Sequence, residues 1–148
     1  MSELAVLQGI VDANLYMTLA TADGDGRPWA SPVWFAHEDY TRFLWVSKPE
    51  ARHSRNLAAR PEAGIVIFDS TVPEGAAQAV YLDAEARQLD EDESAREISV
   101  FSSRSHSLGW PEWTVEDVLA PARLRLYRAT AGARFVLGEN DQRIAVPL

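Results

Sequence analysis

Pro28 and Pro32 interrupt a run that otherwise favours extended backbone, Arg27-Pro28-Trp29-Ala30-Ser31-Pro32-Val33-Trp34-Phe35. Proline has no N–H to give to a sheet ladder, so a strand carrying two of them must lie at an edge or leave part of its backbone unpaired. The preceding segment, Leu15 to Thr21, is apolar and β-prone, and Asp23-Gly24-Asp25-Gly26 between the two supplies residues that tolerate positive φ. The pattern predicts a hairpin whose second strand is irregular and open. Free backbone groups beside small Ala30 and Ser31 would let a flat heteroaromatic ring approach closely, although an irregular edge strand with no ligand accounts for this run equally well.

The rest of the chain reads as short strands with few helices. Leu4, Leu7, Ile10 and Val11 recur at helical spacing behind Ser2, a candidate N-cap, and predict a short helix that covers one barrel end. A turn is expected around His37-Glu38-Asp39. The nearly continuous apolar run Arg42 to Val46 then predicts a central strand buried on both faces. Glu50 to Arg60 is helical in pattern and is stopped by Pro61; Ala63 to Phe68 and Gln78 to Arg87 return as strands. A helix over Asp92 to Phe101, capped by Asp90 or Asp92, precedes a loop at Gly109-Trp110-Pro111 and a helical turn with a Thr114/Asp117 capping box. Arg123 to Thr130, Arg134 to Leu137 and Ile144 to Val146 complete the set. Six to eight strands joined early by tight turns predict a mainly antiparallel β-barrel, because closing a sheet hides its edges.

At 148 residues, with no Gly/Ser/Pro-rich linker, the chain is expected to form one domain, 1–148. A formal charge of -8, from 14 basic and 22 acidic residues, argues against nucleic-acid binding. The absence of cysteine excludes disulfides and thiolate-ligated clusters. Nowhere do apolar residues run long enough to cross a membrane, and the N-terminus lacks the basic and apolar regions of a signal peptide, so a cytoplasmic location is expected.

A second informative run is Ser47-Lys48-Pro49-Glu50-Ala51-Arg52-His53-Ser54-Arg55-Asn56-Leu57, where a strand ends in a hydroxyl and a lysine before a helix begins. A helix N-terminus offers unpaired N–H groups and a positive dipole end, to which Ser47, Lys48 and Arg52 add donors suited to phosphate oxygens. A solvated basic helix face explains the same residues when they are taken alone. The order of the two runs, a ring platform followed by a phosphate site, matches a flavin mononucleotide.

Ala20-Thr21 before the Gly-rich turn, the Arg27–Phe35 run, Leu44-Trp45-Val46-Ser47 and Ala51-Arg52-His53-Ser54-Arg55-Asn56-Leu57-Ala58-Ala59-Arg60-Pro61 together resemble the pyridoxamine 5′-phosphate oxidase-like proteins. That resemblance, which covers Leu15 to Phe68, implies a split β-barrel of six to eight mostly antiparallel strands with a few flanking helices. It implies a homodimer with cofactor clefts between the subunits, holding FMN or, in actinobacterial branches, the deazaflavin coenzyme F420. It also implies that Trp29, Ala30, Ser31 and Pro32 line the isoalloxazine, and that Ser47, Lys48, Arg52, His53 and Asn56 surround the ribityl phosphate. The C-terminal substrate-binding block of the authentic oxidases has no match, so the resemblance leaves the substrate open.

His37, His53 and His106 have no metal-ligand spacing, and the serines between Ser99 and Ser107 lack a nucleophile elbow, Ser102, Ser103 and Ser105 reading as a polar helix end. Trp110 and Trp113 either cover a ligand or pack under their own loop. Arg123 and Arg125 alternate along a predicted strand and either add to a phosphate site or face solvent. The expected function is an FMN-binding oxidoreductase moving a hydride between flavin and a small substrate. The alternatives are an F420-dependent reductase using Lys48, Arg52 and Arg55, and a non-catalytic flavin or haem storage protein.

Overall fold

A computed structural model describes residues 1–148. The chain runs α1 (Glu3–Ala13), β1 (Tyr16–Ala22), β2 (Pro28–Trp34), β3 (Ala36–Glu38), β4 (Arg42–Ser47), α2 (Arg52–Ala59), β5 (Glu62–Phe68), β6 (Ala79–Gln88) and α3 (Glu91–Ser107). A 3₁₀ turn at Val115–Val118 follows, then β7 (Arg125–Leu137), a 3₁₀ turn at Glu139–Asp141 and β8 (Arg143–Val146). All strand pairings are antiparallel, in the order β2-β1-β5-β6-β7-β4-β3, with β8 paired to β7. β2 and β4 approach one another with no ladder between them, so the curled sheet is a split barrel.

The hairpin forms where glycine and aspartate allow it. Asp23 accepts the Asp25 and Arg27 N–H groups, each at 2.9 Å, and Gly26 takes φ 84°. Hydrogen bonds from Asp23 to the Arg27 carbonyl and from Phe35 to the Leu15 carbonyl fix the parity of the β1/β2 ladder. Because hydrogen-bonded pairs alternate along an antiparallel ladder, Trp29, Ser31 and Val33 bond to β1, while Pro28, Ala30, Pro32 and Trp34 turn their backbone groups away from it. Both prolines thus fall where no ladder bond is lost.

Alternating side chains sort into two apolar layers. Met17, Leu19, Val33, Phe43, Trp45, Ile65, Ile67, Leu82 and Tyr127 fill the barrel, joined by Leu7, Ile10 and Val11 of α1, whose N-cap is Ser2. Leu44, Leu89, Phe101, Val118 and Leu126 form the second layer, between the outer sheet face and α3. Trp34 meets Phe101 edge-on at 4.6 Å and Trp110 at 5.2 Å, and Trp113 meets Phe101 at 5.3 Å. The two tryptophans of the 109–114 loop therefore pack on the aromatic layer, Trp110 remaining partly exposed.

Several expectations need correction. The turn placed around His37-Glu38-Asp39 falls one step later, at positive-φ Asp39 and Tyr40, because Ala36–Glu38 pairs with Arg42–Leu44 as β3. β4 is buried on both faces, yet it is next to last in the sheet; α3 rather than a central place supplies its second cover. Arg123–Thr130 and Arg134–Leu137 are parts of one strand, β7, which passes a register shift opposite Asp83 and Ala84 and begins at Arg125, so Arg123 lies before it. α3 continues to Ser107, and Ser102 and Ser105 are no polar end: Ser102 Oγ accepts the Trp113 N–H and Ser105 Oγ donates to the Pro111 carbonyl.

At the start of α3 the Asp90 cap and Glu93 form a reciprocal capping box, and Glu93 also receives Arg87. The Arg87 hydrogen bond, with the Asp90 N–H, pulls the Glu93 carboxyl down to about 2. Since Phe101 is fully buried and is the contact shared by Trp34 and Trp113, Phe101→Ala is expected to destabilise the protein by about 3–5 kcal/mol. Urea denaturation followed by tryptophan fluorescence checks this.

Candidate functional site

The prolines, the β4 terminus and α2 meet at one end of the barrel. α2 starts at Arg52 rather than Glu50, after a turn closed by the Ala51 N–H to the Lys48 carbonyl. Its N-cap, Ala51, has no side chain able to accept, so the first-turn N–H groups stay open at that end. The apolar face of α2 seats Leu57 in the core, and buried Asn56 donates to Thr21 Oγ1 at 3.0 Å. Thr21 Oγ1 in turn lies 3.5 Å from the Trp29 carbonyl, so Asn56 ties α2 to both strands of the hairpin. A further bond from Arg60 to the Gly24 carbonyl, 2.9 Å, holds the C-terminal end of α2 to the hairpin turn.

Two contacts face the mouth of this end. Ser47 Oγ and His53 Nε2 are 2.7 Å apart. The Arg52 guanidinium lies 4.2 Å over the Trp29 ring, a cation–π contact. Burial holds the His53 imidazole below its ordinary pKa, favouring the neutral ring. With the ring proton on Nε2, His53 donates to Ser47 Oγ and leaves the serine O–H free for an anion; with the proton on Nδ1, Ser47 donates to the ring. Serine, histidine, arginine and open helix N–H groups form a donor set that fits a phosphate dianion.

The structure brings Trp29, Ser47, Arg52 and His53 to one place, with Ser31 half-buried on the Trp29 face of β2. Ala30 and Pro32 are exposed on the opposite face of β2, beside its free edge. Lys48 turns toward the 121–125 segment, and Asn56 points into the hairpin rather than the mouth. Nothing local marks Thr21 as the anchor of α2: a threonine in a β-prone run carries no signal of its partner. Nor does any pattern reveal that Arg125 lies directly across the ladder from Ser47.

Of the other histidines, His37 is engaged elsewhere and His106 is not hydrogen-bonded. His37 accepts the Tyr40 N–H on Nδ1 at 3.2 Å and faces Asp12 with Nε2 at 3.1 Å, while His106 is exposed, 3.7 Å from Glu112. No three His, Asp or Glu side chains converge as a metal site.

Fold and site together define a split-barrel protein with hydrogen-bond donors gathered at one barrel end. The matching family is narrower: residues 5–136 fit the family model described as Pyridoxamine 5'-phosphate oxidase, and the chain belongs to that family. It is 29% identical over 139 residues to a pyridoxine/pyridoxamine 5'-phosphate oxidase of Streptomyces avermitilis, covering 92% of this chain and 59% of that one. The chain thus spans about three-fifths of that relative's length. Among solved structures, HutZ, a haem storage protein from Vibrio cholerae, superposes with TM-score 0.73 at 22% identity, covering 92% of this chain and 95% of HutZ. An F420 reductase superposes with TM-score 0.62 at 17% identity, covering 86% and 94%. At such identities the two structures speak for the fold alone.

Truncating Asn56 strands the buried Thr21 hydroxyl, so Asn56→Ala is expected to cost about 1–3 kcal/mol in stability, measured by chemical denaturation. His53 has a folded pKa below its ordinary 6.5, so the unfolded chain takes up a proton first. Its stability contribution is full above about pH 6.5 and falls as pH drops through that value toward the lower folded pKa. A pH series of melting temperatures is expected to show a shallower decline below that pH in His53→Gln than in the wild type.

Proposed function

We propose that this chain is an FMN-binding oxidoreductase that moves a hydride between the flavin and a small substrate. The observation that carries the reading is the meeting, at one barrel end, of an open strand edge with the Ser47, Arg52 and His53 donor set. In this reading Trp29, Ala30, Ser31 and Pro32 lie along the isoalloxazine, with the outward N–H groups of Ala30 and Trp34 available to its acceptor atoms. Ser47, Arg52 and His53 receive the phosphate together with the open end of α2, while Lys48, turned toward the 121–125 segment, borders it. Asn56 is a positioning residue acting through Thr21. The bound flavin supplies the redox chemistry, leaving the protein to orient it and control access. The substrate in this reading is a small planar electron acceptor or donor.

The functional unit in this reading is a homodimer. The outer face of β2, β1 and β5 carries Pro32, Ala30, Ala20, Gly64, Val66 and Phe68, small or apolar residues on neighbouring strands that α3 leaves bare. A flat apolar face of this kind suits a second copy.

F420 is the second cofactor to test, because Lys48, Arg52 and Arg55 offer a longer anionic tail more than one contact. Haem storage is less favoured: His37 has both ring nitrogens engaged and His53 is bonded to Ser47, which leaves His106 as the histidine free to ligate iron.

Titration of the purified protein with FMN, followed by flavin fluorescence, is expected to show saturable binding. Arg52→Ala is expected to weaken it by about tenfold or more, as for loss of a charge-assisted phosphate contact. Ala30→Pro removes an outward N–H without removing a ladder bond, so it is expected to weaken FMN binding while leaving the β1/β2 hairpin intact by circular dichroism. A protein that stays colourless and gains no thermal stability from FMN rejects the reading. A marked preference for F420 moves it to the deazaflavin branch.

A further inference from the structure

A second concentration of positive charge lies beside the α2 mouth. The turn at Lys48–Glu50 and the segment Pro121–Arg125 enclose a cavity of about 430 Å³ whose lining includes Lys48, Arg123 and Arg125. None of these three cations has a carboxylate oxygen within 4.0 Å. Glu50 is the one carboxylate in the lining, so the cavity keeps a net positive charge. In a chain of formal charge -8, an excess of unpaired cations around one concavity is a local reversal of the protein's field.

The walls of this cavity are held in place. Arg125 donates through one terminal nitrogen to the carbonyls of Ala122, at 2.6 Å, and Leu124, at 2.7 Å, which anchors the guanidinium and leaves its other N–H groups unused. Pro49 and Pro121 restrict the backbone of the two walls. Arg125 also stands directly opposite Ser47 in the β4/β7 ladder, and such pairs have Cβ atoms about 4.5–5.5 Å apart. The cavity therefore adjoins the Ser47–His53 pair without sharing its donors, apart from the backbone that runs from Ser47 to Lys48.

We infer that the Lys48–Arg123–Arg125 cavity is a second anion-binding site, built for a phosphate, pyrophosphate or comparable polyanionic group. Two guanidinium groups and an ammonium around one space match a ligand with several anionic oxygens better than a single carboxylate. Such a group can arrive as the far end of a cofactor tail that runs past Ser47, or as a separate phosphorylated molecule. The site adjoins the flavin reading, and its existence is tested without flavin.

Inorganic pyrophosphate, titrated calorimetrically into the flavin-free chain, is the probe. Arg123 is exposed and outside the strands, so Arg123→Ala is expected to keep the wild-type melting temperature while weakening pyrophosphate by about tenfold or more, with Arg123→Lys restoring part of the loss. Because the Arg52 donor set at the α2 mouth can also take pyrophosphate, two binding events are expected in the flavin-free wild type, and Arg52→Ala is expected to weaken the one that Arg123→Ala leaves intact. Repeating the titration on protein saturated with FMN and with FAD separates the sources. Pyrophosphate that binds in the presence of either flavin points to a separate phosphorylated molecule; pyrophosphate that binds beside FMN but is excluded by FAD points to a cofactor tail. Wild-type binding in Arg123→Ala, or full displacement of pyrophosphate by FMN, overturns the second site. If FMN fails to bind at all, the Arg123 variants still decide it.

Discussion

The register of β2 on β1 is the constraint from which the rest of the architecture follows. Pairing Ser31 with Leu19 and Val33 with Met17 sends Val33 into the barrel and turns the backbone of Pro28 and Pro32 outward. A slip of one residue would point both prolines at β1, remove two ladder bonds and expel Val33 from the core. With the register fixed, no strand can pair fully along the outer edge of β2, so the sheet cannot close by hydrogen bonds there. The split falls beside a strand that lacks two of its four outward N–H groups. The gap between β2 and β4 and the ring-accessible edge are two consequences of the same pair of residues.

α2 answers the open barrel end that this split creates. Inner-facing residues at that end, Thr21 and Ser47, have polar side chains, and each is met from α2: Thr21 by Asn56, Ser47 by His53. The helix thereby satisfies buried hydroxyls while leaving its own N-terminus uncapped. That combination matters for an anion. A capped helix would already have spent its first N–H groups, and a helix without the Asn56 anchor would not hold them in a fixed direction. Burial keeps His53 neutral, and an anion placed beside it would favour the protonated ring, so proton uptake and anion binding at this end are linked.

Features set by local chemistry were legible in the sequence, and features set by distant partners were not. The hairpin, the Ser2 and Asp90 caps, the Thr114/Asp117 box and the edge character of β2 follow from residues that act on their own neighbours. β3 is not legible locally, because Ala36–Glu38 owes its pairing to β4, and His37 and Glu38 read as turn formers. The unity of β7 was hidden by Ala131-Gly132-Ala133, small residues that suggest a break but sit at the register shift against Asp83 and Ala84. Within the site, the strand-to-helix run marked Ser47, Arg52 and His53 as neighbours, since sequence separation there is short. The Trp29–Arg52 stack and the Asn56–Thr21 bond join segments far apart in the chain, and only the fold could disclose them.

The distribution of arginine pairs explains how an acidic protein keeps a positive mouth. On the α3 side, Arg87 and Arg128 are occupied by Glu93 and Glu97, and Arg42 is occupied by Glu38 and Asp39. Arg143 is paired with Asp141, and buried Arg134 donates through its terminal nitrogens to the Tyr40 and Pro147 carbonyls. Two of the seven carboxylates of the 82–97 segment, Glu93 and Glu97, are therefore spent on neighbouring strand arginines. At the α2 end, Lys48, Arg52, Arg123 and Arg125 have no carboxylate partner. Screening in salt acts within about 8–10 Å, so the remote carboxylates that set the net charge do little to cancel four cations gathered at one rim. An anionic ligand approaching that rim meets the local sign of the field, and the overall charge of the chain acts on it only from a distance.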